Sequence, residues 1–216
     1  MIFSITRTVF LVITLYFGAT GVYLNIVSSS DWWDPLGYYT IQSNIICLFA
    51  CIFYICNLFS KKKVSDKIMG IIQGGVVLCI MLTFLVYHFL LAPSNFSFSS
   101  LATSNQYVHY FLPLMMFADY LVFAKKGTIQ FKSIFLWTIV PIVYCIFVFI
   151  YSAFGGRFGA ENDIVPYFFL DYSLHGILYV VKWVGILTVG YLSLSAIFVC
   201  IDKFIAFVCG KIGNQL

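Results

Sequence analysis

Charged residues are scarce in this chain. Its 216 residues include only 12 Lys and Arg and 8 Asp and Glu, whereas hydrophobic residues make up 62%. Soluble domains are about a quarter charged and about half apolar, so this composition excludes an ordinary soluble domain. The net charge of +4 does not require a nucleic acid, because the placement of the basic residues along the chain explains it better. We expect an integral membrane protein with membrane lipids, and no nucleic acid, as its partners.

Several motifs of known chemistry are also missing. The seven cysteines form no CxxC pair or disulfide framework. There is no HExxH, no GxSxG and no phosphate-binding loop. Metalloprotease, α/β-hydrolase and nucleotide-binding functions therefore have no motif to support them, and we expect no cofactor.

Long apolar runs are what the chain has in abundance. Each is about twenty residues long, enough to cross a hydrocarbon core of roughly 30 Å. The first run is longer than that of a signal peptide, and no clean small-residue cleavage site follows it, so we keep it as a span. The sequence predicts an all-α, polytopic membrane protein, with one six-helix transmembrane domain over residues 1–216. The predicted spans are 5–27, 38–59, 69–92, 106–124, 133–152 and 174–200.

The basic residues predict the orientation of these spans. The connections 28–37 and 93–105 contain no Lys or Arg, and 153–173 contains only Arg157. Because segments rich in Lys and Arg stay on the cytoplasmic side, both termini are predicted to be cytoplasmic. The protein itself is predicted to lie in the cell membrane. The basic residues that carry this prediction are Arg7, Lys61, Lys62, Lys63, Lys67, Lys125, Lys126, Lys132, Lys203 and Lys211.

Polar residues fall at one depth of the predicted bundle. His88, His109 and His175 each lie near the outer end of a span. Thr40 and Asn44 lie within the first two turns of the second span, at a height within about 5 Å of His109. The sequence therefore predicts a polar cluster, and one pocket, that opens outward.

Helical spacing also assigns partners in the last span. Asp171, His175 and Lys182 are spaced to share one helix face. Asp119 lies ten residues after His109 and is rotated by about 80° from it. Charged groups at membrane depth are costly when alone, so we expect Asp119 to pair with Lys182.

A hydroxyl and an imidazole at one depth permit nucleophilic catalysis, in which Thr40 attacks an acyl carbonyl and His109 accepts its proton. Histidine suits this role because its neutral form is readily available near pH 7. Asn44 is a candidate oxyanion donor, and His88 is a second candidate assistant. Pro113 has no N–H to donate to the carbonyl of His109, which loosens the backbone there.

Other interpretations of the same residues stay open. The three histidines with Asp171 suit a metal, but they come singly from three spans, and we expect no metal. His109, Asp119, His175 and Lys182 can instead line the pathway of a transporter or the pocket of a small-molecule binding protein. A third possibility is a non-catalytic membrane protein in which the polar cluster only fixes helix packing.

Four segments carry a family resemblance that covers nearly the whole chain. Together they resemble the bacterial six-span Pr-six-Pr membrane proteins, which are in turn similar to the androgen-induced-protein family of intramembrane threonine hydrolases. The resemblance implies Thr40 as nucleophile, His109 as base and a fatty-acid ester as substrate. The segments are 39–44 (Tyr-Thr-Ile-Gln-Ser-Asn), 86–93 (Val-Tyr-His-Phe-Leu-Leu-Ala-Pro), His109 with Leu112, Pro113 and Asp119, and 166–171 (Pro-Tyr-Phe-Phe-Leu-Asp).

Overall fold

A computed structural model describes residues 2–92 and 102–213, and helices make up most of these two ranges. Two π-helical turns interrupt the regular α-helices: π1 (Tyr87–Leu91) continues α3, and π2 (Tyr107–Phe111) joins α4 to α5. The described ranges contain no β-strand, only one bridge between Phe158 and Asp163, so the all-α prediction is confirmed. The α-helices are α1 (Ile2–Ser28), α2 (Tyr39–Phe59), α3 (Asp66–Val86), α4 (Thr103–Gln106), α5 (Leu112–Phe123), α6 (Ser133–Ala153), α7 (Tyr172–His175) and α8 (Ile177–Gly213).

Five helices in the described ranges are long and apolar enough to cross a membrane. They are α1, α2, α3 together with π1, α6 and α8. The predicted fourth span, 106–124, is helical, but π2 divides it and leaves α5 with only 12 residues. The number of spans and the orientation of the termini stay predictions. Residues 93–101 of the predicted connection 93–105 lie outside the described residues.

Helix α3 lies at the centre of the bundle. Its Leu78 belongs to an apolar cluster with α5, α6 and α8, and all of that cluster's core residues are buried. Its Ile80 belongs to a second cluster, shared with α1, α2 and α5. Its Cys79 belongs to a third, which contains Tyr39 of α2 and Tyr144 of α6. The core is therefore built from several faces of one helix.

The exterior of the bundle is apolar along its length. Large hydrophobic side chains stand out from α6 and α8, among them Phe135 (73% exposed), Leu178 (79%) and Val189 (65%). Water would make so large an exposed apolar surface unfavourable, at about 25 cal/mol for each Å². The surface is compatible with an integral membrane protein.

A close approach of α6 to α3 depends on Gly74. A Cβ atom at this position would stand 2.6 Å from Cζ2 of Trp137. The Trp137 ring is fixed there, because its Nε1 donates to the carbonyl of Ile71 at 2.9 Å. Glycine at this position therefore leaves the space that the indole occupies beside α3.

Candidate functional site

The two π turns pack against each other at one end of the bundle. The Tyr87 ring of π1 stacks on the His109 ring of π2, with 3.7 Å between centroids and 16° between planes. The His88 ring of π1 makes a hydrogen bond between its Nδ1 and the hydroxyl of Tyr110 at 3.2 Å. His88 and His109 thus lie on adjoining turns, each in contact with the residue next to the other, and π turns inside helices frequently occur at functional sites.

Because residue 113 is a proline, one carbonyl of π2 needs a hydrogen-bond donor from another helix. The N–H of Leu112 donates to the carbonyl of Tyr107, five residues earlier. In that register the carbonyl of Val108 would receive the next N–H, but residue 113 is a proline and has none. The side chain of Asn44 fills the gap, because its Nδ2 donates to the carbonyl of Val108 at 3.1 Å. The loosened carbonyl is thus at Val108, one residue before the predicted position at His109.

Asn44 is fully buried and both of its N–H groups are used. Besides Val108, its Nδ2 donates to the carbonyl of Thr40 at 2.7 Å, while its Oδ1 has no partner among the described residues. A side-chain amide carries two N–H donors. In this arrangement Asn44 has no donor left for an oxyanion, so it connects α2 with π2 and acts as a support for the site.

His109 is 7% exposed. Within the described ranges, its Nδ1 is buried and has no hydrogen-bond partner. An unpaired buried polar atom is unfavourable by about 1–3 kcal/mol, and native structures contain few of them. The imidazole therefore has one ring nitrogen available for a ligand, a water molecule or a neighbouring side chain.

Thr40 lies on the wall of a cavity of about 300 Å³ between α2, α3, α6 and α8. The segment Phe168–Leu170, a short 3-10 helix, closes one side, where Phe169 and Leu170 line the cavity. Pro141 and Thr188 lie on the α6 and α8 walls. The lining is almost wholly apolar, so the cavity suits an acyl chain or a similar apolar group.

Tyr87 connects this cavity with the imidazole, because it lines the cavity and stacks on His109. Among the described residues, no hydrogen bond joins Thr40 to His109. Tyr167 lines the same cavity as Thr40, and burial raises the pKa of Tyr167. The catalytic pair stays a prediction, and Tyr167 is a neighbour that spacing along the chain did not indicate.

Asp119 pairs with Arg7 and not with Lys182. Nε of Arg7 donates to Oδ1 at 3.0 Å, and Nη2 donates to Oδ2 at 2.7 Å. The guanidinium also lies over the rings of Tyr54 and Phe123. Lys182 is exposed on α8. Arg7 lies inside the apolar run 5–27, where a charge requires a partner, so its role goes beyond that of an orientation signal.

The predicted shared face of Asp171, His175 and Lys182 is wrong. Gly176 has a φ of +80° and separates α7 from α8, so the three residues are not on one helix. His175 is exposed, and its ring contacts Tyr179, with 4.4 Å between centroids. It does not join His88 and His109.

Asp171 instead caps α7. Its Oδ1 accepts the Ser173 hydroxyl at 2.7 Å and the N–H groups of Ser173 and Leu174, each at 3.0 Å. The Ser173 hydroxyl and these N–H groups lower the pKa of Asp171 below its ordinary value. This is the usual role of an aspartate at a helix N-terminus.

The predicted polar residues thus form separate groups. No group of three or more His, Cys, Asp or Glu side chains that could hold a metal occurs in the described part of the chain. Comparison of the chain with protein-family models, curated proteins and solved structures finds no match. Fold and geometry define a helical protein with five potential membrane spans and an apolar internal cavity.

Proposed function

We propose that this protein is a six-span enzyme of the cell membrane that hydrolyses a lipid ester, with the acyl chain held in the cavity beside Thr40. The observation that carries the proposal is the position of Thr40 on the wall of a cavity of about 300 Å³. A nucleophile at such a wall meets the acyl chain without exposure to bulk water. The segment from α4 through π2 to α5 supplies the sixth span.

The proposed reaction has two steps. His109 accepts the hydroxyl proton of Thr40 as Oγ1 attacks the ester carbonyl carbon, and the alcohol leaves with that proton. Water then attacks the acyl-threonine while His109 accepts a proton from it, which releases the fatty acid and restores the threonine. No hydrogen bond joins Thr40 to His109 among the described residues, so the proposal requires the two side chains to come into contact when the substrate binds. The unpartnered Nδ1 of His109 has no existing bond to break, and catalytic contacts often tighten only when substrate binds.

A fluorophosphonate probe tests this proposal directly. The purified wild-type protein should be labelled, Thr40→Ala and His109→Ala should each lose labelling, and Thr40→Ser should keep part of it. Thr188→Ala is a matched control, because Thr188 lines the same cavity on α8. Unlabelled wild-type protein of normal thermal stability, or full labelling of both alanine variants, would reject the Thr40 and His109 pair.

The cavity favours lipid binding without catalysis as a second candidate. Its specific support is that Thr40 and His109 are not hydrogen-bonded among the described residues. In that case a lipid should copurify equally with the wild type and with Thr40→Ala, and neither should release fatty acid. The transporter hypothesis has less support, because no hydrogen bond, ion pair or ring contact in the described ranges joins His109, Asp119, His175 and Lys182.

A further inference from the structure

A second cavity, of about 250 Å³, lies at the end of the bundle where α2 begins and α6 ends. Its walls differ from those of the first cavity, because they carry two opposite charges, Asp34 and Arg157. Four aromatic rings lie beside these charges: Trp33, Phe147, Tyr151 and Phe158. We propose that this cavity binds the zwitterionic headgroup of an aminophospholipid, with the phosphate on Arg157 and the ammonium between Asp34 and the rings. The proposal is independent of any hydrolysis at Thr40.

Arg157 has no charged partner in the described part of the chain. Its Nη1 donates to the carbonyl of Gly156 at 2.7 Å, and no carboxylate lies within ion-pair distance of it. It is also the only Lys or Arg in the connection 153–173. A guanidinium binds phosphate oxygens with two parallel hydrogen bonds. An unpaired Arg on the wall of a cavity is therefore suited to a phosphate group.

Asp34 makes a purely anionic ligand less suitable. Its Oδ1 accepts the N–H of Gly159 at 2.7 Å, which fixes the carboxylate in the cavity wall. Asp34 and Arg157 line one cavity but are not an ion pair, so a positive and a negative charge each face it without neutralising the other. The rings of Trp33 and Tyr151 add surfaces that attract a cation. A ligand with both a phosphate and an ammonium group satisfies the two charges.

The segment that carries Arg157 is anchored. Phe158 is 1% exposed, and its backbone exchanges two hydrogen bonds with Asp163, each of 2.9 Å. Gly37 makes room for the Phe158 ring, because a Cβ atom there would stand 2.9 Å from Cε1. The guanidinium therefore starts from a fixed backbone position, which reduces the entropy lost on binding.

The location favours a lipid over a free metabolite. Trp33 is 52% exposed and its neighbour Trp32 64%, and tryptophan is enriched where the bilayer meets water. The two cavities have no lining residue in common. The hydroxyl of Tyr144, which lines the first, donates to the carbonyl of Gly37, which lines the second, at 3.1 Å. A headgroup can enter from the interface while its acyl chains stay in the bilayer.

Titration of the full-length protein in maltoside micelles with dihexanoyl-phosphatidylethanolamine tests the proposal, with bound lipid counted by native mass spectrometry. Arg157→Gln should weaken binding by about ten-fold or more, because a charge-assisted contact is lost. Asp34→Asn keeps an oxygen for Gly159 but removes the charge, so it should remove the preference for phosphatidylethanolamine over dihexanoyl-phosphatidylglycerol. Glu161→Gln, which removes a charge nearby but outside the cavity lining, is the matched control and should bind as the wild type does.

Three results would overturn the proposal. The first is equal affinity of the wild type for the two lipids. The second is unchanged binding in Arg157→Gln at wild-type thermal stability. The third is binding of phosphoethanolamine alone as tightly as the lipid, which would identify a soluble ligand instead of a headgroup at the interface.

Discussion

The buried ion pair of Arg7 and Asp119 gives a prediction whose size follows from the structure. The side chains are 9% and 2% exposed, so water cannot replace a lost partner. Asp119→Asn keeps the shape of the side chain but replaces Oδ2, which accepts a hydrogen bond from Nη2 of Arg7 at 2.7 Å, with an NH₂ group. Two hydrogen-bond donors would then face each other. Breaking a buried pair in this way leaves an unpaired charge, and we expect a loss of about 3–5 kcal/mol in the free energy of unfolding.

The exposed pair of Lys125 and Asp66 is a matched control. Its side chains are 69% and 59% exposed, and solvent-exposed pairs contribute about 0–1 kcal/mol. Reversible unfolding by sodium dodecyl sulfate in mixed micelles, followed by tryptophan fluorescence, would compare Asp119→Asn with Asp66→Asn. Replacing both partners, Arg7→Met with Asp119→Leu, should recover most of the lost stability, because it leaves no buried charge alone.

Two results would refute this reasoning. If Asp119→Asn were as mild as Asp66→Asn, the guanidinium would find other partners in the bundle and the pair would not be isolated. If the double variant were as unstable as Asp119→Asn, the loss would come from altered packing and not from an uncompensated charge. The interaction energy of the double-mutant cycle separates the two explanations.

Three other predictions concern Asn44, two glycines and Asp171. Asn44→Ala should lower the free energy of unfolding by about 1–3 kcal/mol, because the carbonyl of Val108 loses its donor; wild-type stability would contradict the account of π2. Gly74→Ala should lower stability by about 1–3 kcal/mol through overlap with Trp137, whereas Gly185→Ala, which has open space around it, should not lower it. Because the pKa of Asp171 is lowered on folding, its cap stabilises α7 above the ordinary aspartate pKa, and this stabilisation is lost as the pH falls through the lowered pKa. The protection of the α7 amides against hydrogen exchange, measured relative to their intrinsic exchange rates at each pH, should decrease in that range, and Asp171→Asn should remove this pH dependence.

The helices were predictable because their signal is repeated along the chain. Each predicted span averages many apolar side chains, so one polar residue does not change the result, and the described structure has a helix at each of the six positions. The ends were harder to predict. The last span was predicted to begin at residue 174, but the single residue Gly176 separates α7 from α8 there. At the other end, α8 continues to Gly213, well past the predicted end at 200. The part of α8 after residue 200 packs against the bundle, because Asp202 is buried there and accepts a hydrogen bond from the Tyr120 hydroxyl at 2.6 Å.

The candidate site was predictable only in part. Depth along each helix predicts similar heights for His88 and His109, because helix rise is nearly constant, and the two turns that carry them are packed together through Tyr87 and His109. It could not show that Thr40 faces a cavity, since a cavity is a property of four helices at once. Nor could it show that both N–H groups of Asn44 are used, because their acceptors are backbone carbonyls, and every residue carries one.

The wrong partner of Asp119 follows mainly from its depth in the bundle. The next residue, Tyr120, donates to Asp202 of α8, and Lys182 lies twenty residues before Asp202 in the same helix, about 30 Å away at 1.5 Å per residue. The π2 turn adds an error of rotation. A π turn is equivalent to one extra residue in an α-helix, and at 3.6 residues per turn it rotates everything after it by roughly 100° relative to everything before it. The predicted angle between His109 and Asp119 assumed a regular helix across this turn. With the turn present, Asp119 faces Arg7 on α1 and Tyr120 faces Asp202 on α8. Pro113, which removes one N–H beside π2, lies between His109 and Asp119, so an angle between these two residues that is worked out for a regular helix does not hold.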